Sequence, residues 1–176
     1  MFHKFPKKYH FIDSFDINLL KKMDPQTGVI YRNYNIKNLD FEEILKLRNF
    51  LKKNKIKFYL SNNLKLALKL KLDGAYVPSF NKNFSHLSYT YNNKFMILGS
   101  AHNLKEIRIK ESQKVDLLFI SSIFKSNQNY LGVNKFKILS NYSDKKIIAL
   151  GGISKNNLKK LRLTRAFGFA GISYFR

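Results

Sequence analysis

Eight short apolar runs, most closed by small or polar residues and several followed by helix-periodic segments, predict an α/β chain folded as a compact (β/α)8 TIM barrel. The same strand-then-helix unit recurs along the chain. The runs also lack strict in–out alternation, as parallel strands buried on both faces require. An open flavodoxin-like or Rossmann sheet uses the same units. The strand count decides for the barrel, although 176 residues is short for one. The length predicts one domain, spanning residues 1–176.

Taken in order, the first two strands are YHFID (Tyr9–Asp13) and GVIYR (Gly28–Arg32). Asp40-Phe-Glu-Glu43 then has the spacing of a capping box ahead of the periodic FEEILKLRNFLKK. KFYLS (Lys57–Ser61) is the third strand, and LKLALKLKL (Leu64–Leu72) is built of good helix formers. GAYVP (Gly74–Pro78) is the fourth strand, and NKNFSHLSYTYNN reads as a loop. FMILGS (Phe95–Ser100) is the fifth, with a second capping pattern, Asn103-Leu-Lys-Glu106, behind it. DLLFIS (Asp116–Ser121) is the sixth, and SNQNYLGVN reads as a loop. KIIALGG (Lys146–Gly152), the helix-starting NNLKKLRL and GFAGIS (Gly168–Ser173) complete the set.

Thirty-three Lys and Arg against 11 Asp and Glu give a net charge of +22. Nucleic-acid binding is one reading of such a number. The lysines, however, are spread along the whole chain, on helix faces such as LKLALKLKL, which is the pattern of a solvated basic surface. The field still favours a phosphorylated small molecule. No apolar run approaches the roughly 18 residues of a membrane span, and MFHKFPKKYHF lacks the apolar core of a signal peptide. Absence of cysteine excludes disulfides, a thiolate nucleophile and cysteine-bound zinc. A cytoplasmic protein is the expectation. Nothing in the chain specifies an oligomeric state.

Barrel geometry puts chemistry at the C-terminal strand ends. Gly151-Gly152 there and Ile172-Ser173 on the last strand suit a phosphate cradle of backbone amides, with the Ser173 hydroxyl as an added donor. A plain tight turn would also use a glycine pair. His102, just past the fifth strand in GSAHN, has the chemistry of a general acid or base, or else of a local packing histidine. Arg32 suits a phosphate or diphosphate at the mouth. Asp13 is the carboxylate clearly placed at a strand end, so no carboxylate pair is available there for acid/base work or for holding Mg2+. No HxH or HxxxH metal spacing occurs, and His3, His10 and His86 lack the company His102 has.

In order and spacing these segments resemble the thiamine phosphate synthase and TenI (thiazole tautomerase) superfamily, whose members are compact (β/α)8 barrels. IYRN is similar to its Q-x-R-E-K strand. FYLSNNLKLALKLKLDGAYVPS is similar to its I-N-D-R-x-D-L-A-L-x-x-x-A-D-G-x-H-L-G-Q segment. ILGSAHNLKE resembles G-x-S-x-H-x-x-x-E, FISSIFKSNQN resembles G-P-I-F-x-T-x-T-K, and ALGGISKNN resembles A-I-G-G-I-x-x-x-N. The resemblance implies that Gly152, Ile172 and Ser173 bind a thiazole phosphate, with Ser126 in place of a threonine hydroxyl. It implies that Arg32 and Ser100 face a pyrimidine diphosphate. The two metal-binding aspartates fall at Asn62 and Asn81, the asparagine before the first of them at Ser61, and two family lysines at Tyr34 and Asn129.

That pattern points to a thiamine-biosynthesis barrel that takes a phosphorylated thiazole, with a TenI-like tautomerase activity and His102 as its acid/base. No cofactor is then needed. The alternatives are a thiamine phosphate synthase, which would use Mg2+, and a catalytically silent phosphate-ligand or nucleic-acid binder.

Overall fold

The computed structural model describes residues 5–34 and 40–175. Eight parallel strands close into a barrel in sequence order: β1 (Lys8–Ile12), β2 (Thr27–Tyr31), β3 (Lys57–Ser61), β4 (Gly74–Val77), β5 (Met96–Ala101), β6 (Leu117–Ser121), β7 (Lys146–Leu150) and β8 (Ala166–Gly171). Closure comes from β8 against β1, with Lys8 opposite Phe169, Tyr9 opposite Ala170 and His10 opposite Gly171.

The interior is filled by alternate strand residues, Tyr9, Phe11, Ile30, Tyr59, Tyr76, Leu98, Phe119 and Ile148 among them. Its rings meet edge to face: Tyr9 and Phe119 have centroids 5.0 Å apart, and Phe11 and Tyr76 5.3 Å. The opposite strand faces pack under the outer helices, where Ile44, Leu47 and Leu51 cover β2 and β3.

The outer layer is thin, which is how so short a chain closes a barrel. The helices are α1 (Ile17–Lys21), α2 (Phe41–Lys53), α3 (Leu64–Lys69), α4 (Leu104–Ser112) and α5 (Gly132–Ser140). Beyond β4 and β7 the connections carry 3-10 turns, Ser85–Ser88 and Leu158–Leu163, where the sequence predicted a loop and a helix. The lysine-rich third helix stops at Lys69, short of the expected Leu72, because Lys71 takes a positive φ of 52°.

Both capping signals form by half. Asp40 accepts from the amides of Glu42 and Glu43 at 3.0 and 3.1 Å, and Asn103 from that of Glu106 at 3.0 Å. The glutamates do not reach back to their caps. Glu43 accepts from the Phe15 amide (2.7 Å) and the Tyr31 hydroxyl (2.5 Å), and Glu106 from the His102 amide (2.7 Å). Each helix start is thereby tied to a strand's C-terminal end.

Candidate active site at the barrel mouth

Several of the candidate residues lie just past the strands rather than in them. β7 ends at Leu150 because Gly151 (φ 103°) and Gly152 (φ 74°) leave the extended region. Both glycines are also needed for space. A Cβ on Gly151 would fall 2.3 Å from Ser122 Oγ, and one on Gly152 2.5 Å from the Lys125 amide nitrogen. The Phe124 and Lys125 amides donate to the Gly151 carbonyl at 2.9 and 3.2 Å. The pair therefore lets the β6–α5 loop lie directly on the end of β7, and Ser126, exposed, follows that contact by one residue.

The end of β8 joins them: Gly171 lies beside the Ile153 carbonyl, and Ile172–Phe175 form a turn closed by Phe175 N–H to Ile172 O at 3.2 Å. The loops that carry Gly152, Ser126 and Ile172–Ser173 thus touch one another, at Gly152 against Phe124–Lys125 and at Gly171 against Ile153. Among the described residues, the Gly152 and Ser173 amides donate to no other group of the chain. Asn157 braces the loop: its Nδ2 donates to the Gly152 carbonyl at 2.8 Å, and its Oδ1 accepts from the Ser154 amide at 2.9 Å. Its place in G-G-I-x-x-x-N was the signal for this role.

Arg32, half-buried at the end of β2, lies with its guanidinium 4.5 Å from the Phe11 ring centroid and 6.0 Å from that of Tyr34. No Asp or Glu pairs with it among the described residues. Most acids are committed elsewhere: Asp16 and Asp40 cap helices, Asp73 and Asp116 hold the starts of β3 and β5, and Glu111 meets Arg108 and Ser143. Asp13 follows β1, exposed, its own carbonyl accepting from Asn33. Ser100 is buried at the inner end of β5 beside the Tyr76 hydroxyl, whose pKa burial pushes up to about 12 against the opposing hydrogen bond. The Tyr34 and Ser61 hydroxyls are 2.9 Å apart, and Tyr34 meets Phe80 edge to face.

His102 takes a different direction. Its Nδ1 donates to the Ser121 carbonyl at 2.9 Å, which leaves Nε2 as the acceptor nitrogen. The residue lines a shallow groove of about 260 Å³ between α4 and α5, with Leu104, Leu131, Ile138 and Tyr142. This groove does not include Arg32, Ser100 or the glycine pair. His3 lies outside the described residues.

Asn62, just past β3, and Asn81, in the loop after β4, face each other, Asn81 Nδ2 donating to Asn62 Oδ1 at 2.7 Å. Neutral amides already satisfying one another are poor donors for a hard divalent cation. Among the described residues no cluster of three His, Asp or Glu could hold a metal. The chain's donor set does not fit the Mg2+ that the resemblance implies for synthases.

Pattern reading missed a polar network behind Asn81. Lys110 is fully buried, and its Nζ donates to the Asn81 carbonyl at 2.6 Å and to Gln113 Oε1 at 2.8 Å. Gln113 Nε2 donates to the Asn81 and Asn83 carbonyls (3.1 and 2.8 Å), and His86 Nε2 to the Gln113 carbonyl (2.8 Å). The available signal was Lys110 three residues after the buried Ile107, on the apolar stripe of α4.

Residues 20–175 match the family described as thiamine monophosphate synthase. The thiamine-phosphate synthase of Methanococcus vannielii is 32% identical over 120 residues, 66% of this chain and 58% of that relative, so the match spans little more than half of the relative's length. That of Hydrogenobaculum is 26% identical over 154 residues, 83% of this chain and 72% of the relative. Among solved structures, a thiamine phosphate pyrophosphorylase from Pyrococcus furiosus superposes with a TM-score of 0.69 at 19% identity, covering 95% of this chain and 85% of that one. At that identity the superposition speaks for the barrel alone.

Proposed function

The chain belongs to the thiamine monophosphate synthase family, and from that premise we propose that it forms thiamine phosphate by joining a phosphorylated pyrimidine to a phosphorylated thiazole. The observation that carries the reading is the meeting of the three loops that bear Gly152, Ser126 and Ile172–Ser173, with the Gly152 and Ser173 amides unused among the described residues, at the C-terminal end of the barrel. Such a nest of N–H groups suits a phosphate monoester used as a handle. Held by it, the thiazole presents its ring nitrogen toward Arg32 and Ser100, where the pyrimidine diphosphate binds. The C–O bond to the diphosphate breaks, the C–N bond to the thiazole forms, and the diphosphate leaves with its electron pair. Arg32, with no carboxylate among the described residues to neutralise it, meets the charge that grows on the leaving group.

The relatives' names favour this synthase reading over the TenI-like isomerase reading, and so does the setting of His102. Its ring is held by Ser121 in the α4–α5 groove. The test is a coupling assay with hydroxymethylpyrimidine diphosphate and thiazole phosphate, reading thiamine phosphate. Product is expected in wild type and in His102→Ala. If thiazole phosphate binds but no product forms under any condition, the synthase reading is wrong. Isomerisation of a carboxythiazole phosphate that fails in His102→Ala would then establish the isomerase.

A further inference from the structure

On the pyrimidine side of the mouth, Asn62 and Asn81 stand where the resemblance puts metal-binding aspartates, yet the loop that carries Asn81 is firmly held. Asn81 is fixed at both its ends. Its side chain meets Asn62, and its carbonyl receives Lys110 Nζ and Gln113 Nε2 from beneath. Gln113 also holds Asn83, and His86, in the 3-10 segment that follows, closes the circuit through the Gln113 carbonyl. Lys110 and Gln113 are both 0% exposed, so this is an interior support and not a surface ion pair. Lys110 carries its charge up to a pKa of about 8, burial having lowered it from 10.5.

We infer that Lys110 fastens the loop after β4 from within the fold, in place of a divalent cation acting from the mouth, and that the pyrimidine side binds its organic phosphate as the free anion through Arg32. Two physical arguments support this. A buried ammonium bonded to the backbone of Asn81 repels a divalent ion brought to that residue's side chain. The two amides, already paired, would have to break a hydrogen bond to ligate anything, and would bring no negative charge when they did. Arg32 supplies a bidentate-capable cation on the same rim, with Tyr34 and Phe80 as the aromatic walls against which a planar heterocycle can lie.

The inference rests on the coupling reading, so its test keeps a readout that does not need turnover. Hydroxymethylpyrimidine diphosphate is titrated calorimetrically into the full chain in EDTA and in Mg2+, and Mn2+ alone is followed by its paramagnetic resonance signal. Affinity in EDTA is expected to equal or exceed that in Mg2+, and the free Mn2+ signal to persist. Binding that needs Mg2+, or Mn2+ uptake that Asn62→Ala abolishes, would overturn the proposal even if no product is ever seen.

The fastening is tested by Lys110→Met, with thiazole phosphate as an internal control. Loss of a hydrogen bond from a charged group that orders a site predicts about tenfold weaker pyrimidine diphosphate binding, with thiazole phosphate unchanged and Lys110→Arg partly restoring the loss. Equal loss of both ligands, or of neither, sinks this half. If Lys110→Met does not fold, Gln113→Leu, which leaves the ammonium in place but removes two loop contacts, is expected to show the same selective loss; an unselective one would count against it.

Discussion

Gly152→Ala is the most direct probe of the proposed phosphate cradle. At φ 74° an alanine takes on the left-handed penalty, about 1–2 kcal/mol. Its Cβ would also stand 2.5 Å from the Lys125 amide nitrogen and 2.8 Å from the Phe124 carbonyl carbon, both backbone atoms that no rotamer change can move aside. The β6–α5 loop must therefore shift, and it takes Ser126 with it. A phosphate held by charge-assisted hydrogen bonds would lose at least one of them, about 1.5–3 kcal/mol, or roughly 10- to 100-fold in Kd. Thermal melting gives the stability change, and calorimetric titration with thiazole phosphate gives the affinity. A variant that melts lower but binds thiazole phosphate as wild type does would refute the cradle. The glycine pair would then be a packing device between two loops and nothing more.

Asn157→Ala removes both braces on the Gly152–Ser154 loop without entering the proposed site. Thiazole phosphate affinity should fall several-fold while the pyrimidine side is untouched, and calorimetry on both ligands checks the split. Lys110 makes stability depend on pH. Its folded pKa of about 8 lies below the ordinary 10.5, so between those values the folded chain sheds a proton that the unfolded chain keeps. Stability attributable to this group should therefore rise with pH across that window, by no more than about 3 kcal/mol in total. Glu106 pulls the other way, and His86 lies in the same network through Gln113. Denaturant unfolding of wild type and Lys110→Met at both ends of the window isolates the contribution of this lysine; parallel curves for the two proteins would dismiss it.

Most of the barrel was legible because buried parallel strands announce themselves as apolar runs with small or polar ends. Lys57–Ser61 matches its expected bounds in full, and the other strands differ by a residue or two at their ends. At β7 the expected bounds overshoot for a physical reason: Gly151 and Gly152 continue the apolar run in sequence but turn left-handed in space. The crossover after β7 misled more seriously. Good helix formers gave only the 3-10 segment Leu158–Leu163, whose exposed Leu163 and adjoining Arg162 find no apolar face to cover. Strand order put Arg32, Ser100 and the glycines at the C-terminal ends of β2, β5 and β7, and there they lie. His102 shows what strand order omits, since a ring one residue past a strand can turn outward to α5. Lys110 was invisible because pattern reading assigns lysine to water, and only the fold reveals the carbonyls waiting for it.

The thin crossovers have a further consequence for how long the folded chain survives. A 3-10 turn carries weaker, more strained hydrogen bonds than an α-helix and covers less of the sheet behind it. The wall outside β4 and between β7 and β8 is where such turns stand guard, with Phe84 and Leu163 facing water beside them. Local opening begins where few apolar contacts hold the backbone shut. Proteolytic lifetime is then set at these two separate connections, which also carry Asn81 and the Gly152–Asn157 segment of the proposed site, while the aromatic-filled interior stays closed until the whole barrel gives way.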